Sequence, residues 1–208
     1  MEINDNRKEH WDTVYSTKQP HEVSWTQEKP ITSLDFITQT NLDKFAKIID
    51  IGGGDSRLVD FLLDEGYQDI TVLDISAEAL ERAKKRLGNK ADKVNWIVSD
   101  VTEFIPETTF DIWHDRAAFH FLTTEEQIKA YTATVAKAVT GYLIIGTFSE
   151  NGPQKCSGLD IKQYTETTLE HQFSDSFKKL KCTTEDHVTP FDTTQNFLFC
   201  SYKRENSN

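Results

Sequence analysis

Apolar residues along this chain group into short β-branched runs. Between them lie stretches in which apolar positions recur every three or four residues, the alternation of strand and amphipathic helix that builds a parallel sheet. Pro30 opens the first helical stretch, with Ile31, Leu34 and Ile37 on one face and an end near Asn41. The run KIIDI, residues 47–51, is short, apolar and stopped by three glycines, which predicts a strand covered on both faces. Residues 56–65 place Leu58, Phe61 and Leu62 before Gly66, the order of a helix with a glycine stop. A second strand, ITVLDI, spans 70–75; Ser76 then caps AEALERAKKRL, where Leu80, Ala83 and Leu87 form a stripe ending at Gly88. VNWIVSD at 94–100 and TTFDIWHD at 108–115 are the third and fourth strands. Thr123 and Glu126 fit a capping box before EEQIKAYTATVAKAV, and YLIIGTF, 142–148, is the fifth strand.

Beyond residue 150 the pattern changes to a Gly/Pro-containing insertion at 151–160, a short helix near 165–172, and two strand-like segments, SFKKLKCTTEDHV and NFLFCSYKR. The connection around PFDTTQ is too brief for a crossover helix. The last pair is therefore antiparallel, with one strand inserted beside its neighbour at the sheet edge.

Composition adds bounds. Apolar residues at 37% and charged residues at 27% over 208 residues describe an ordinary globular chain with one substantial core. The net charge of −11 argues against nucleic acid as a partner, because phosphate contacts need clustered cations. One basic cluster, Lys84, Lys85 and Arg86, complements the C-terminal dipole of its own helix. No stretch is long and apolar enough for a membrane span, and the N-terminus MEINDNRKEHWD lacks a signal-peptide core, so a cytoplasmic location is expected. Cys156, Cys182 and Cys200 are odd in number and lack CxxC spacing, which points to reduced thiols and to no metal site.

Gly52, Gly53 and Gly54 stand between a buried strand and a helix, where the lack of Cβ atoms lets backbone approach a ligand. Asp74, at the end of the second strand with Ile75 after it, is placed to accept the hydroxyls of a ribose. Asp100 ends the third strand and could accept from an adenine amino group, with Val101 beside it. Strand ends of this kind converge on one crevice in an open α/β sheet.

On these residues the chain resembles the class I S-adenosylmethionine-dependent methyltransferases: DIGGGDS is similar to their first motif, VLDIS to their ribose motif and SDVTEF to their adenine-side motif. The resemblance implies a Rossmann-like, seven-stranded, mostly parallel sheet with helices on both faces and an antiparallel last strand. It implies that Asp50 and the glycines face the methionine part of the cofactor, Asp74 the ribose, and Asp100 with Val101 the adenine. Ser56 stands where many members have a further glycine. DRAAFHFL, GPQKCSGL and EDHVTP resemble a bacterial group within the family.

The fourth strand ends where the family places residues beside the transferable methyl group. His114 is the candidate general base and cofactor contact, with Asp115 to orient it or hold substrate. A His or an Asp–Arg pair after a strand also serves to fix a loop. Arg116 either clamps a substrate carboxylate or pairs with Asp115. Trp11, Tyr15 and Trp25 make the leader unusually aromatic for a polar segment; as a lid, Tyr15 and Trp25 would touch substrate and Trp25 also cofactor. Cys156 and Tyr164, in and beside the insertion, are further substrate candidates, and His120 is read as packing.

The expected organisation is one domain, 1–208: a lid and leading helix (1–45), a cofactor core (46–150), and an insertion with a terminal hairpin (151–208). The expected activity is methyl transfer to N, O or S, chiefly of a small molecule, by a monomer or homodimer. Protein lysine methylation, a nicotinamide-dependent dehydrogenase and a noncatalytic adenosine-binding protein are the alternatives. Arg57, where a third spaced glycine of GxGxxG would stand, opposes the dehydrogenase.

Overall fold

The computed structural model describes residues 2–205; residue 1 and residues 206–208, the ends of the expected domain, lie outside the described residues. Helix α1 (Glu2–Thr17) precedes α2 (Ile31–Thr38), and the sheet begins with β1 (Lys47–Ile51). There follow α3 (Leu58–Asp64), β2 (Asp69–Asp74), α4 (Ala77–Leu87), β3 (Val94–Val98), β4 (Phe110–Arg116), α5 (Glu125–Ala138) and β5 (Val139–Phe148). A two-strand ribbon, β6 (Lys155–Cys156) and β7 (Leu159–Asp160), leads to α6 (Glu166–Phe173) and the long hairpin β8 (Phe177–Val188) and β9 (Thr194–Arg204).

The seven-stranded sheet runs β3-β2-β1-β4-β5-β9-β8. Neighbours are parallel as far as β5, whereas β9 is antiparallel to both β5 and β8. The last strand is thus inserted between the fifth and the edge, as its short connection requires. Because successive strand residues face opposite sides, Ile49, Ile51, Trp113 and Ile145 pack with α5 and α6 in one core. Ile48, Val72, Ile112 and Ile144 pack with α2, α3 and α4 in the other.

Two local expectations shift. The capping box of α5 is Thr124 with Gln127, not Thr123 with Glu126: the Thr124 hydroxyl accepts from Gln127 N, and the Gln127 carboxamide accepts from the backbone of Thr124 and Thr123. Cys182 and Cys200, expected as reduced thiols, lie directly opposite in the β8–β9 register and are joined as a disulfide; only Cys156 is free. Sequence spacing says nothing about cross-strand register, so the pair was not visible in it. Among the described residues no helix is long and apolar enough to cross a membrane.

Candidate functional site

The glycine turn leaves β1 by a backbone path that side chains resist. Gly52 has φ +63°, and a Cβ there would sit 2.7 Å from the Ala118 Cβ. Gly54 has φ +40°, and its Cβ would lie 2.9 Å from both Asp74 Oδ2 and Tyr15 Oη, in the gap between them. Ser56 does useful work in place of a glycine: its N–H closes the turn on Gly53 O at 2.7 Å and its hydroxyl accepts from Leu58 N at the start of α3. Arg86 braces the turn from α4 through Asp55 and Asp60, a more specific role than dipole complementation.

Asp74 is buried at the end of β2, where one carboxylate oxygen accepts from Ser76 N at 2.8 Å. Burial pushes its pKa up to about 7; Ser76 and Gly54 N–H groups oppose the rise and the Asp50 carboxylate adds to it. Asp100 lies just past β3, accepts from Thr102 N and Oγ1, and is paired with Arg7 of α1. Burial acts to raise the Asp100 pKa, but Thr102 and Arg7 outweigh it and leave it below the ordinary carboxylate value.

At β4 alternation separates the two residues expected to act together. His114 faces α2, with Nδ1 2.7 Å from Asp50 Oδ1 and Nε2 2.9 Å from Ser33 Oγ. Asp115 faces α5 instead, fully buried, accepting from Ala118 N, Phe119 N and Tyr131 Oη. Its carboxylate braces the turn through Ala117, a non-glycine residue at φ +68°. Burial raises the Asp115 pKa to about 6, held back by Tyr131 and those two amides. Asp115 therefore neither orients His114 nor reaches the cavity; Asp50 does the orienting. Arg116 returns to the α2 side, where Nη1 donates to Trp25 O at 3.0 Å.

These groups line one cavity of about 1300 Å³, with Asp50, Gly52, Gly53, Asp74, Ile75, Asp100, Val101, His114 and Arg116 on its walls. That exceeds the roughly 300–1,000 Å³ of a single small-molecule pocket, leaving room for two ligands side by side. Helix α1 and the segment after it form the roof. Trp11 meets Trp25 and Phe121 edge-on at 5.6 and 5.0 Å between ring centres, and Tyr15 lies 6.2 Å from Trp25. Asp12 accepts from the Ser76 hydroxyl at 2.7 Å, and Arg82 donates to Lys18 O.

Cys156 reaches the far end of the cavity, its thiol pushed up to about 11 by burial. His187 arrives there from β8, with Nε2 2.6 Å from Ser24 O. Tyr164 does not line the cavity. It is buried in the other core, stacked on Phe119 at 5.3 Å, because the chain after β7 runs back over the α5–α6 face. His120 is also internal, stacked on Phe148 at 4.4 Å. Ser33 and Arg7 were missed in the sequence, where a serine one turn into a helix and an arginine in a polar leader carry no distinguishing signal.

Residues 48–141, just under half of the chain, match the sequence model of a family described as a methyltransferase domain. The structure superposes on that of the protein studied for conversion of a disulfide bond into a thioacetal group during echinomycin biosynthesis. The TM-score is 0.78 at 17% identity, with 96% of this chain and 94% of that one covered. It also superposes on N-methyltransferase NodS from Bradyrhizobium japonicum WM9 in complex with S-adenosyl-L-homocysteine, with TM-score 0.69, 13% identity, and coverage of 99% and 98%. The chain thus has the Rossmann-like fold of these structures. By sequence, the eEF1A lysine and N-terminal methyltransferase of Mus musculus is 33% identical over 82 residues, 39% of this chain and 12% of that protein. The chain thus matches a small part of that curated relative's length. Within the methyltransferase fold, the matched segment holds the glycine turn, Asp74, Asp100, His114 and Arg116. Tyr15, Trp25, Ser33, Cys156 and His187 fall outside it.

Proposed function

We propose that this chain is an S-adenosylmethionine-dependent methyltransferase acting as one domain, in which α1 and the segment after it roof the site and the acceptor is a small molecule. The convergence of the glycine turn, Asp74 and Asp100 on one roofed cavity carries this reading. The residues fit the cofactor. The space that a Cβ on Gly54 would fill lies against Asp74, whose buried carboxylate is suited to ribose hydroxyls. Asp100 and Val101 would hold the adenine, and Asp50, the glycines, Ile75, His114 and Trp25 the remainder.

When bound, the cofactor supplies an electrophilic methyl group. The chain's own task is to hold an N, O or S atom in line, exclude water, and take a proton where the acceptor arrives neutral. Asp50 fixes the His114 proton on Nδ1, so Nε2 is the acceptor nitrogen, and it faces Ser33 Oγ. The proton path therefore runs from acceptor to Ser33 and on to His114. Asp115 has no part in it.

A protein acceptor is supported by the sequence match to the mouse eEF1A enzyme, and opposed by the roof of Trp11, Tyr15 and Trp25. Labelled methyl incorporation, assayed against a metabolite pool and denatured lysate proteins, separates the two. Calorimetry with S-adenosyl-L-homocysteine and NAD tests the core claim: binding of the former, lost in Asp74→Ala, is expected. Binding of NAD alone would overturn it.

A further inference from the structure

Arg116 presents a cation that, among the described residues, no carboxylate pairs with directly. Its Nη1 is taken by Trp25 O, and its face packs 4.7 Å from the centre of the Phe197 ring. Nε and Nη2 are buried without a hydrogen-bond partner, and among the described residues no carboxylate pairs with them. The neighbouring Asp115 is spent on the opposite side of the sheet. The His187 imidazole and the Cys156 thiol add no charge there near pH 7. Burial and the Arg116 charge itself hold the His187 pKa down, while burial holds the Cys156 thiol up at about 11. The Glu185 and Asp50 carboxylates offset part of the Arg116 charge through space without pairing with it.

A buried, unpaired cation is costly unless something that binds there offsets it. The unpaired Nε–Nη2 edge is the two-pronged side of a guanidinium, which matches the paired oxygens of a carboxylate or phosphoryl group. Phe148 and Phe197, which pack on each other at 4.6 Å, also line the cavity, and Phe197 lies under the guanidinium. On the proposed methyltransferase reading, this end of the cavity lies beyond the cofactor half, toward the acceptor.

We propose that the methyl acceptor carries an anionic oxyacid group that docks on the Nε–Nη2 edge of Arg116, its apolar body lying against Phe148 and Phe197. His114 and Arg116 are alternate residues of one strand, so their side chains rise from the same face about 7 Å apart. The nucleophilic N, O or S atom, near Ser33 and His114, and the anionic group on Arg116 would therefore lie on one face of the sheet.

The test uses the full chain saturated with S-adenosyl-L-homocysteine, probed by thermal shift and calorimetry with benzoate, phenylphosphonate and the neutral isostere benzamide. Benzoate or phenylphosphonate should stabilise the protein where benzamide does not, and whichever does so identifies a carboxylate or a phosphoryl group. Arg116→Gln should weaken that binding about 30-fold or more, with S-adenosyl-L-homocysteine affinity unchanged. Arg116→Lys, a point charge without the fork, should retain part of it. Should Arg116→Gln not fold, the charge series on wild type and Arg116→Lys decides. Anions that fail to outdo benzamide, or that bind Arg116→Gln equally, overturn the proposal. Failure of the wild type to bind S-adenosyl-L-homocysteine counts instead against the methyltransferase reading, and the same anion series on the cofactor-free protein still decides the role of Arg116.

Discussion

Single residues carry two pH-linked and proton-linked consequences. Asp74 titrates at about 7 in the folded protein, against about 3.9 in an unfolded chain. A raised carboxylate pKa means that the folded state loses stability as pH climbs from about 4 to 7 and regains it on acidification. Asp74→Asn removes that penalty, so the ligand-free variant should melt several degrees higher than wild type at about pH 8, while losing cofactor binding. Ribose hydroxyls favour the ionised carboxylate, so S-adenosyl-L-homocysteine affinity should fall about tenfold per pH unit below 7. Calorimetry across that range checks it, and a flat profile removes Asp74 as the ribose ligand. Ser33→Ala interrupts the path to His114 Nε2 at 2.9 Å and should cut turnover of a neutral acceptor on the order of 100-fold. Cofactor affinity should not move, and Ser33→Thr should restore activity; equal turnover in Ser33→Ala excludes the path. Asp74 and Asp100 were legible because strand ends in an open α/β sheet meet at one edge. Ser33 was not, since its role depends on where α2 lands.

At the scale of elements, strands and helices were legible wherever burial imposes a period. KIIDI coincides with β1 and AEALERAKKRL with α4, including its Ser76 cap. Errors arose where two adjacent residues could each satisfy a local rule, as with Thr123 and Thr124 before α5. Others arose where alternation was overlooked, as with Asp115 set beside His114. The β8–β9 hairpin shows a third limit, because register decides that Cys182 opposes Cys200 and composition does not. The bond closes a loop of 18 residues at the sheet edge, which corresponds to about 3 kcal/mol through the unfolded chain. Reduction, or Cys182→Ala, should therefore lower the melting temperature by roughly 6–12 °C, with cofactor affinity preserved because the pair lies away from the glycine turn. Identical melting with and without reductant would show that the strands hold without the bond.

For the molecule as a whole, the roof is fastened to the groups it is meant to cover. Arg7 pairs with Asp100, Asp12 holds the Ser76 hydroxyl, and Tyr15 stands over Gly54. A ligand whose adenine is to reach Asp100 must compete with Arg7 for that carboxylate, which would couple cofactor entry to release of the α1 contact. Such coupling is a shift between a closed and an opened arrangement, and its size is set by what each ligand gains in one over the other. Arg7→Met keeps the apolar stem while removing the charge. It should raise the association rate of S-adenosyl-L-homocysteine by freeing Asp100, and raise the dissociation rate because the roof is held less firmly. The two changes offset in the equilibrium constant and stand out in the kinetics. Trp11 and Trp25 lie in the roof and report its movement by fluorescence, so stopped-flow mixing reads both rates directly. If neither rate changes in Arg7→Met, the ion pair does not gate the site, and α1 is a fixed wall rather than a closing one.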